Sequence, residues 1–312
     1  MPRHLRPLGA LAAAATCAAL LSACDSGASG DGTTTLGFVN GANTEFHTCL
    51  QKAVTSQASA SGAKVITANS QQNPATELSN IEDMISRQVD ALIVQTVNVD
   101  ALKGDIAKAR SAKIPIFLTS VISSDTTDIL GAVVVDLPKV GALDAGWVGK
   151  DAAGAPAEAG VIAGAPGAAS DLLVKGFTGA LPANVKVVAN QPGMFVRAKA
   201  QDVAENMIQA HPNLKYAFVA NEDMAFGALQ AFKAAGKNVE IVTVNGTDEG
   251  LAAVKDGRFA ATVANSATVT GQLAVKNAVA LLKKQAAPKI ANTPISLITQ
   301  ENLSSAPQYC LK

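Results

Sequence analysis

Ten short apolar runs rich in Val and Ile recur along this 312-residue chain, separated by longer stretches with helical spacing. This alternation restricts the fold more than any other feature. The first series comprises residues 35–39, 64–68, 91–94, 114–118 and 130–135, and the second 160–163, 185–189, 216–219, 240–244 and 260–263. Between them, residues 76–87 place Leu78, Ile81 and Ile85 on one face, and residues 222–235 place Ala225, Leu229 and Phe232 at i, i+4 and i+7. Strands alternating with helices of this length imply an α/β fold with parallel sheets covered on both faces. Two similar series, broken near 135–137, predict two such units rather than one sheet. A third apolar helix (271–284) and a strand (295–299) follow the second series. Periodicity alone leaves open which unit each of them joins. An apolar fraction of 48% against 16% charged supplies a core for both units.

The N-terminal residues break this pattern. Arg3 and Arg6 precede an apolar run over residues 8–21, and small residues then lead to Cys24. That order reads as an export leader over residues 1–23. The run is short of the roughly 20 apolar residues that a spanning helix needs. Leu21-Ser22-Ala23-Cys24 resembles the bacterial lipobox, which implies cleavage before Cys24 and a lipid on its sulfur. The expected location is therefore the extracytoplasmic face of a membrane, held by a lipid anchor. Residues 24–34 carry Gly, Ser, Thr and Asp with almost nothing apolar and read as a flexible tether. Without the leader, 25 acidic residues face 23 basic ones. No basic stripe of the kind that phosphate backbones demand is present, which excludes a nucleic-acid partner. With Cys17 lost and Cys24 lipidated, Cys49 and Cys310 remain in an oxidising compartment, and they are expected to pair. Such a bond closes a very long loop, worth about 4–5 kcal/mol in the chain-entropy view.

In open parallel sheets, ligands bind beyond the carboxyl ends of the strands. Asn40 and Asn43 follow the first run, Gln95 the third, and Thr119 and Ser120 the fourth. Asn221, Asn245 and Asn265 follow runs of the second series in the same way. Amides and hydroxyls both donate and accept, which suits a ligand covered in hydroxyls, although Asn and Ser also end strands as turn and cap residues. Catalytic apparatus does not stand out. After the leader only His47 and His211 remain, no zinc spacing occurs, and no G-x-S-x-G elbow is found. Gly164-Ala165-Pro166-Gly167 fits neither the dinucleotide nor the Walker phosphate-loop pattern. No enzyme activity, metal or cofactor is expected.

Ser70-Gln71-Gln72-Asn73-Pro74-Ala75-Thr76-Glu77-Leu78, leading into Gln88-Val89-Asp90-Ala91-Leu92-Ile93-Val94, resembles the ribose-type periplasmic binding proteins. Asn221-Glu222-Asp223-Met224-Ala225-Phe226-Gly227-Ala228-Leu229 is similar to a second hallmark of that family. Asn245-Gly246-Thr247 with Asp256-Gly257-Arg258-Phe259-Ala260-Ala261-Thr262-Val263-Ala264 resembles a third, and Thr299-Gln300-Glu301-Asn302 matches the end of its final strand. The resemblance implies two Rossmann-like lobes joined by a three-crossing hinge, with ligand in the cleft and lobe closure as the working motion. It assigns residues 35–134 plus 266–292 to the N-terminal lobe and 135–265 plus 293–303 to the C-terminal lobe, with 304–312 as a tail. It also implies a monomer that hands its solute to an ABC permease and that permease's ATPase.

Carried over by position, the pocket comprises Phe46, His47, Gln95 and Ser120 from the first lobe. The second lobe offers Asp171, Phe195, Asn221 and Asn245, and the crossing segment Asn265. Phe46 and Phe195 are expected to clamp a sugar ring between aromatic faces, and Trp147 is expected to pack in a helix with Val140 and Leu143. The chain departs from the family where His47 replaces an aromatic and where Ser120 and Val121 replace an acid and an Arg. Asp171 stands for a second Arg, and Asn245 for an Asp. These changes remove the strongest charge-assisted bonds to sugar hydroxyls. They direct the reading toward a neutral polyol, another monosaccharide or a modified sugar rather than ribose. The alternative is a sensory receptor of the same fold that signals occupancy to a membrane partner.

Overall fold

The structure, a computed structural model, describes residues 33–312; the leader, Cys24 and most of the tether lie outside the described residues. The first series forms β1 (Thr35–Asn40), α1 (Glu45–Ala60), β2 (Lys64–Asn69), α2 (Pro74–Ser86), β3 (Ala91–Val94), α3 (Leu102–Ser111), β4 (Ile116–Ser120) and β5 (Gly131–Val134). The second forms α4 (Leu137–Ala152), β6 (Ala157–Ala163), α5 (Ala168–Ala180), β7 (Val185–Pro192), α6 (Arg197–Ala210), β8 (Leu214–Val219), α7 (Glu222–Ala234), β9 (Glu240–Asn245), α8 (Asp248–Lys255) and β10 (Ala261–Asn265). The chain ends with α9 (Ala267–Leu282), β11 (Ile290–Asn292) and β12 (Ile295–Ile298).

Two six-stranded sheets result, in the orders β11-β5-β4-β3-β1-β2 and β12-β10-β9-β8-β6-β7. All pairings are parallel except β10 with β12. Side chains alternate across the first sheet: Phe38, Ile93 and Phe117 enter one core, and Val39, Leu92, Val94 and Leu118 the other. In the second lobe Phe177 stacks on Phe218 with centroids 4.6 Å apart, and Trp147 packs against the core edge. The fourth strand starts two residues later than its apolar run suggests. The Ile114 amide is bonded to Ala109 O at the end of α3, and Pro115 has no N–H to give the ladder. The three-residue β11 is too short to leave a periodic signal.

The backbone passes between the sheets three times: between β5 and α4, at Ser266 between β10 and α9, and at Thr293–Pro294 between β11 and β12. Helix α9 packs on α1 and on β3, β4 and β5, whereas β12 joins the second sheet. The crossings are stitched together: Thr293 N donates to Val134 O at 2.8 Å, and the Thr293 and Thr270 hydroxyls share a bond of 2.9 Å. The tail returns to α1, where Cys49 and Cys310 form a disulfide across 261 residues.

Candidate functional site

The carboxyl ends of the strands of both sheets border a cavity of ≈ 890 Å³, within the 300–1,000 Å³ typical of small-molecule sites. Phe46, His47, Gln95, Ser120, Phe195, Asn221, Asn245 and Asn265 all line it. Asp171 does not. On α5 the inward face is set by Ser170, Leu173 and Phe177, so Asp171, one residue on, turns about 100° away and is exposed. Ser170 reaches the cavity in its place.

Hydrogen bonds fix the polar groups of the first lobe. The Gly41 amide can only donate, so the Gln95 atom 3.1 Å from it is Oε1. The same oxygen lies 3.0 Å from His47 Nε2, which must therefore carry the ring proton. His47 Nδ1 is then an acceptor, taking the Thr44 hydroxyl proton at 2.7 Å. Burial lowers the His47 pKa to about 4, with the Gln95 bond opposing, so the imidazole is neutral at physiological pH. With Oε1 engaged twice, the amide nitrogen of Gln95 is the half left for a ligand. Gly41 allows this packing, because a Cβ there would lie 2.3 Å from Gln95 Oε1. Phe46 meets His47 edge-on, with centroids 5.6 Å apart.

Several lining groups lack the partners that buried polar atoms normally have. Ser120 Oγ and Asn265 Oδ1 are buried and accept or donate no hydrogen bond among the described residues. Backbone strain concentrates in the same place: Ser120 has φ +70°, Phe195 +56° and Asn245 +140°. The Phe195 ring lies against Gly164, where a Cβ would come within 2.1 Å of it; close approach to the ring explains this glycine without a phosphate. Asn221 Oδ1 caps α7 by accepting from Met224 N at 2.8 Å, which leaves its amide nitrogen for the cavity.

Two buried carboxyls hold the loops that carry these groups. Glu222, 1% exposed, accepts from Gly246 N and Thr247 N, both at 2.8 Å, and from the Thr262 hydroxyl at 2.6 Å. It thus fastens the segment just after Asn245. Glu77 accepts from Thr96 Oγ1 and Val97 N, both at 2.6 Å, just after Gln95. Burial raises both acids to about 7 against the opposing pull of these bonds. Sequence reasoning saw both glutamates only as parts of family segments, since nothing local marks an acid as buried. It also missed Tyr309, which lines the cavity. A signal for Tyr309 existed: its neighbour Cys310 bonds to Cys49, one helical turn beyond Phe46.

Chemically, the cavity offers amides, hydroxyls, one neutral imidazole and two phenyl rings, and its lining also carries Glu45 and the Arg197–Asp223 ion pair, closed at 2.9 Å. Among the described residues no group of three or more His, Cys, Asp or Glu is placed to hold a metal ion. Such a lining suits a hydrogen-bonding, polar small molecule.

A profile of the periplasmic binding protein domain matches residues 36–286. The chain is 30% identical over 260 residues to the ribose import binding protein of Bacillus subtilis (strain 168), spanning 83% of this chain and 85% of that protein. It is 28% identical to the xylitol-binding protein of Mycolicibacterium smegmatis, over 97% of this chain and 88% of that one. A solved structure, the periplasmic binding protein component of the arabinose ABC transporter from Shewanella sp. ANA-3 bound to α- and β-L-arabinofuranose, matches with a TM-score of 0.82 at 28% identity. That match covers 87% of this chain and 94% of the other.

Proposed function

We propose that this chain, which belongs to the periplasmic binding protein family, captures a neutral polyol or monosaccharide between its lobes and delivers it to an ABC importer. The family consists of substrate-binding proteins rather than enzymes, and the relatives above are named for ribose, xylitol and arabinose. The observation that carries the reading is the cavity itself. Buried polar atoms on Ser120 and Asn265 without partners among the described residues line it together with Phe46 and Phe195, and a hydroxyl-rich ligand would satisfy the first two while packing on the rings. We further infer that the protein acts as a monomer tethered by a lipid on Cys24 at the extracytoplasmic face, with the permease and its ATPase as partners.

Thermal unfolding against neutral sugars and polyols tests the ligand class. A ligand at 100 times its dissociation constant stabilises by about 2.7 kcal/mol. A clear upward shift with one member supports capture of that class, and a flat panel on well-folded protein refutes it.

A further inference from the structure

We propose that the C-terminal tail forms a wall of the binding cavity, and that Tyr309, held in place by the Cys49–Cys310 disulfide, is a ligand-contacting residue. The inference rests on the cavity being a sugar or polyol site. Chain termini without regular structure are poorly ordered unless something ties them down, and this tail is tied on both sides of a single residue. Before Tyr309, the Ser266 hydroxyl donates to Gln308 O at 2.5 Å. At Tyr309 itself, the carbonyl accepts from Thr268 N at 3.0 Å and from Thr268 Oγ1 at 3.1 Å. After it, Cys310 is bonded to Cys49. All three attachments run to α1 and to the start of α9, beside the second crossing, so the ring is presented at the hinge side of the cleft.

The ring is 2% exposed and lines the cavity together with Asn265 and Phe46. Burial, with the charges of Glu222 and Glu45 adding to it, raises the phenol well above its ordinary range. The group is therefore a lasting O–H donor, suited to an ether or hydroxyl oxygen. Cys49 follows Phe46 by one turn of α1, so the disulfide sets the tyrosine in register with the aromatic and imidazole already in the wall.

The test compares the wild type with Tyr309→Phe and with a Cys49→Ser/Cys310→Ser double variant, using D-ribose, xylitol, L-arabinose and myo-inositol as calorimetric probes. Tyr309→Phe should weaken the best probe at least fivefold with the melting temperature unchanged, and the double variant should weaken it comparably. Unchanged affinity in Tyr309→Phe overturns the proposal. A second readout needs no ligand. The chain has two tyrosines, and Tyr216, fully buried and bonded to Asp151, is an internal control for nitration by tetranitromethane. Tyr309 should nitrate at least tenfold faster in the double variant, and equal rates overturn the disulfide-held wall. If the wild type binds none of the probes, the sugar and polyol reading fails, and the nitration rates alone decide for or against the tail as a wall.

Discussion

Replacing Glu222 by Gln tests whether a buried carboxyl, held by hydrogen bonds alone, fixes the loop behind Asn245. Folding moves this acid from an ordinary 4.5 to about 7, chiefly through burial. A group whose pKa rises on folding stabilises fully below its unfolded value, and that contribution is lost as pH climbs toward the folded value. At 1.36 kcal/mol per pH unit of displacement, the whole window amounts to about 3 kcal/mol, of which about 2–3 kcal/mol falls between pH 8 and pH 5. Gln cannot titrate, so the wild type should gain that amount over the variant as pH drops from 8 to 5. At any single pH the variant also suffers a fixed cost of about 1–3 kcal/mol, because its amide nitrogen faces the N–H of Gly246 or Thr247. Glu77 titrates in the same window but is common to both proteins and cancels in the difference, whereas buried Asp144, raised partly by the Glu222 charge, is relieved of that charge in the variant and adds to the difference. Urea unfolding of both proteins at pH 5, 6, 7 and 8 provides the comparison. Parallel stability curves would mean that Glu222 has the same affinity for protons in the folded and unfolded chain, and would overturn the expectation.

Phe195→Ala should weaken ligand binding more than tenfold while unfolding stays cooperative; calorimetry with the panel's best binder decides it, and unchanged affinity removes Phe195 from contact. Asn221→Asp keeps the acceptor that caps α7 but loses the amide donor. Its affinity should fall, at a cost of at least 1 kcal/mol, with little change in melting temperature; equal affinity would reduce Asn221 to a helix cap. Asp171→Ala should leave affinity unchanged, because the side chain is exposed outside the cavity, and a measurable loss would place Asp171 on the ligand. Cys24→Ser should abolish metabolic palmitate labelling and release the protein from membranes; retention of the label would assign the lipid elsewhere.

Much of this protein was legible because the relevant physics is local. Apolar runs buried on both faces and helices with one apolar stripe write a periodic pattern, so the α/β class and the two strand series are readable directly. The positions just after the strands are readable for the same reason: once Gln95, Ser120, Asn245 and Asn265 end parallel strands, topology alone brings them to one side of each sheet. Asp171 shows the limit of position transfer, since one residue along a helix changes its facing by about 100° and no family segment fixes that angle.

Other features depend on groups distant in sequence. The Gln95 amide orientation follows from the Gly41 amide, and the His47 tautomer from Gln95 in turn. The raised pKa of Glu222 comes from its burial, against the opposing bonds from Gly246, Thr247 and Thr262. Tyr309 belongs to the cavity through a disulfide spanning 261 residues. The layered sheets, and which strand ends face the cavity, are written locally, because periodicity is a property of neighbouring residues. Proton positions, pKa values and the tail's place in the wall depend on distances between residues far apart in the chain, and only folding sets those.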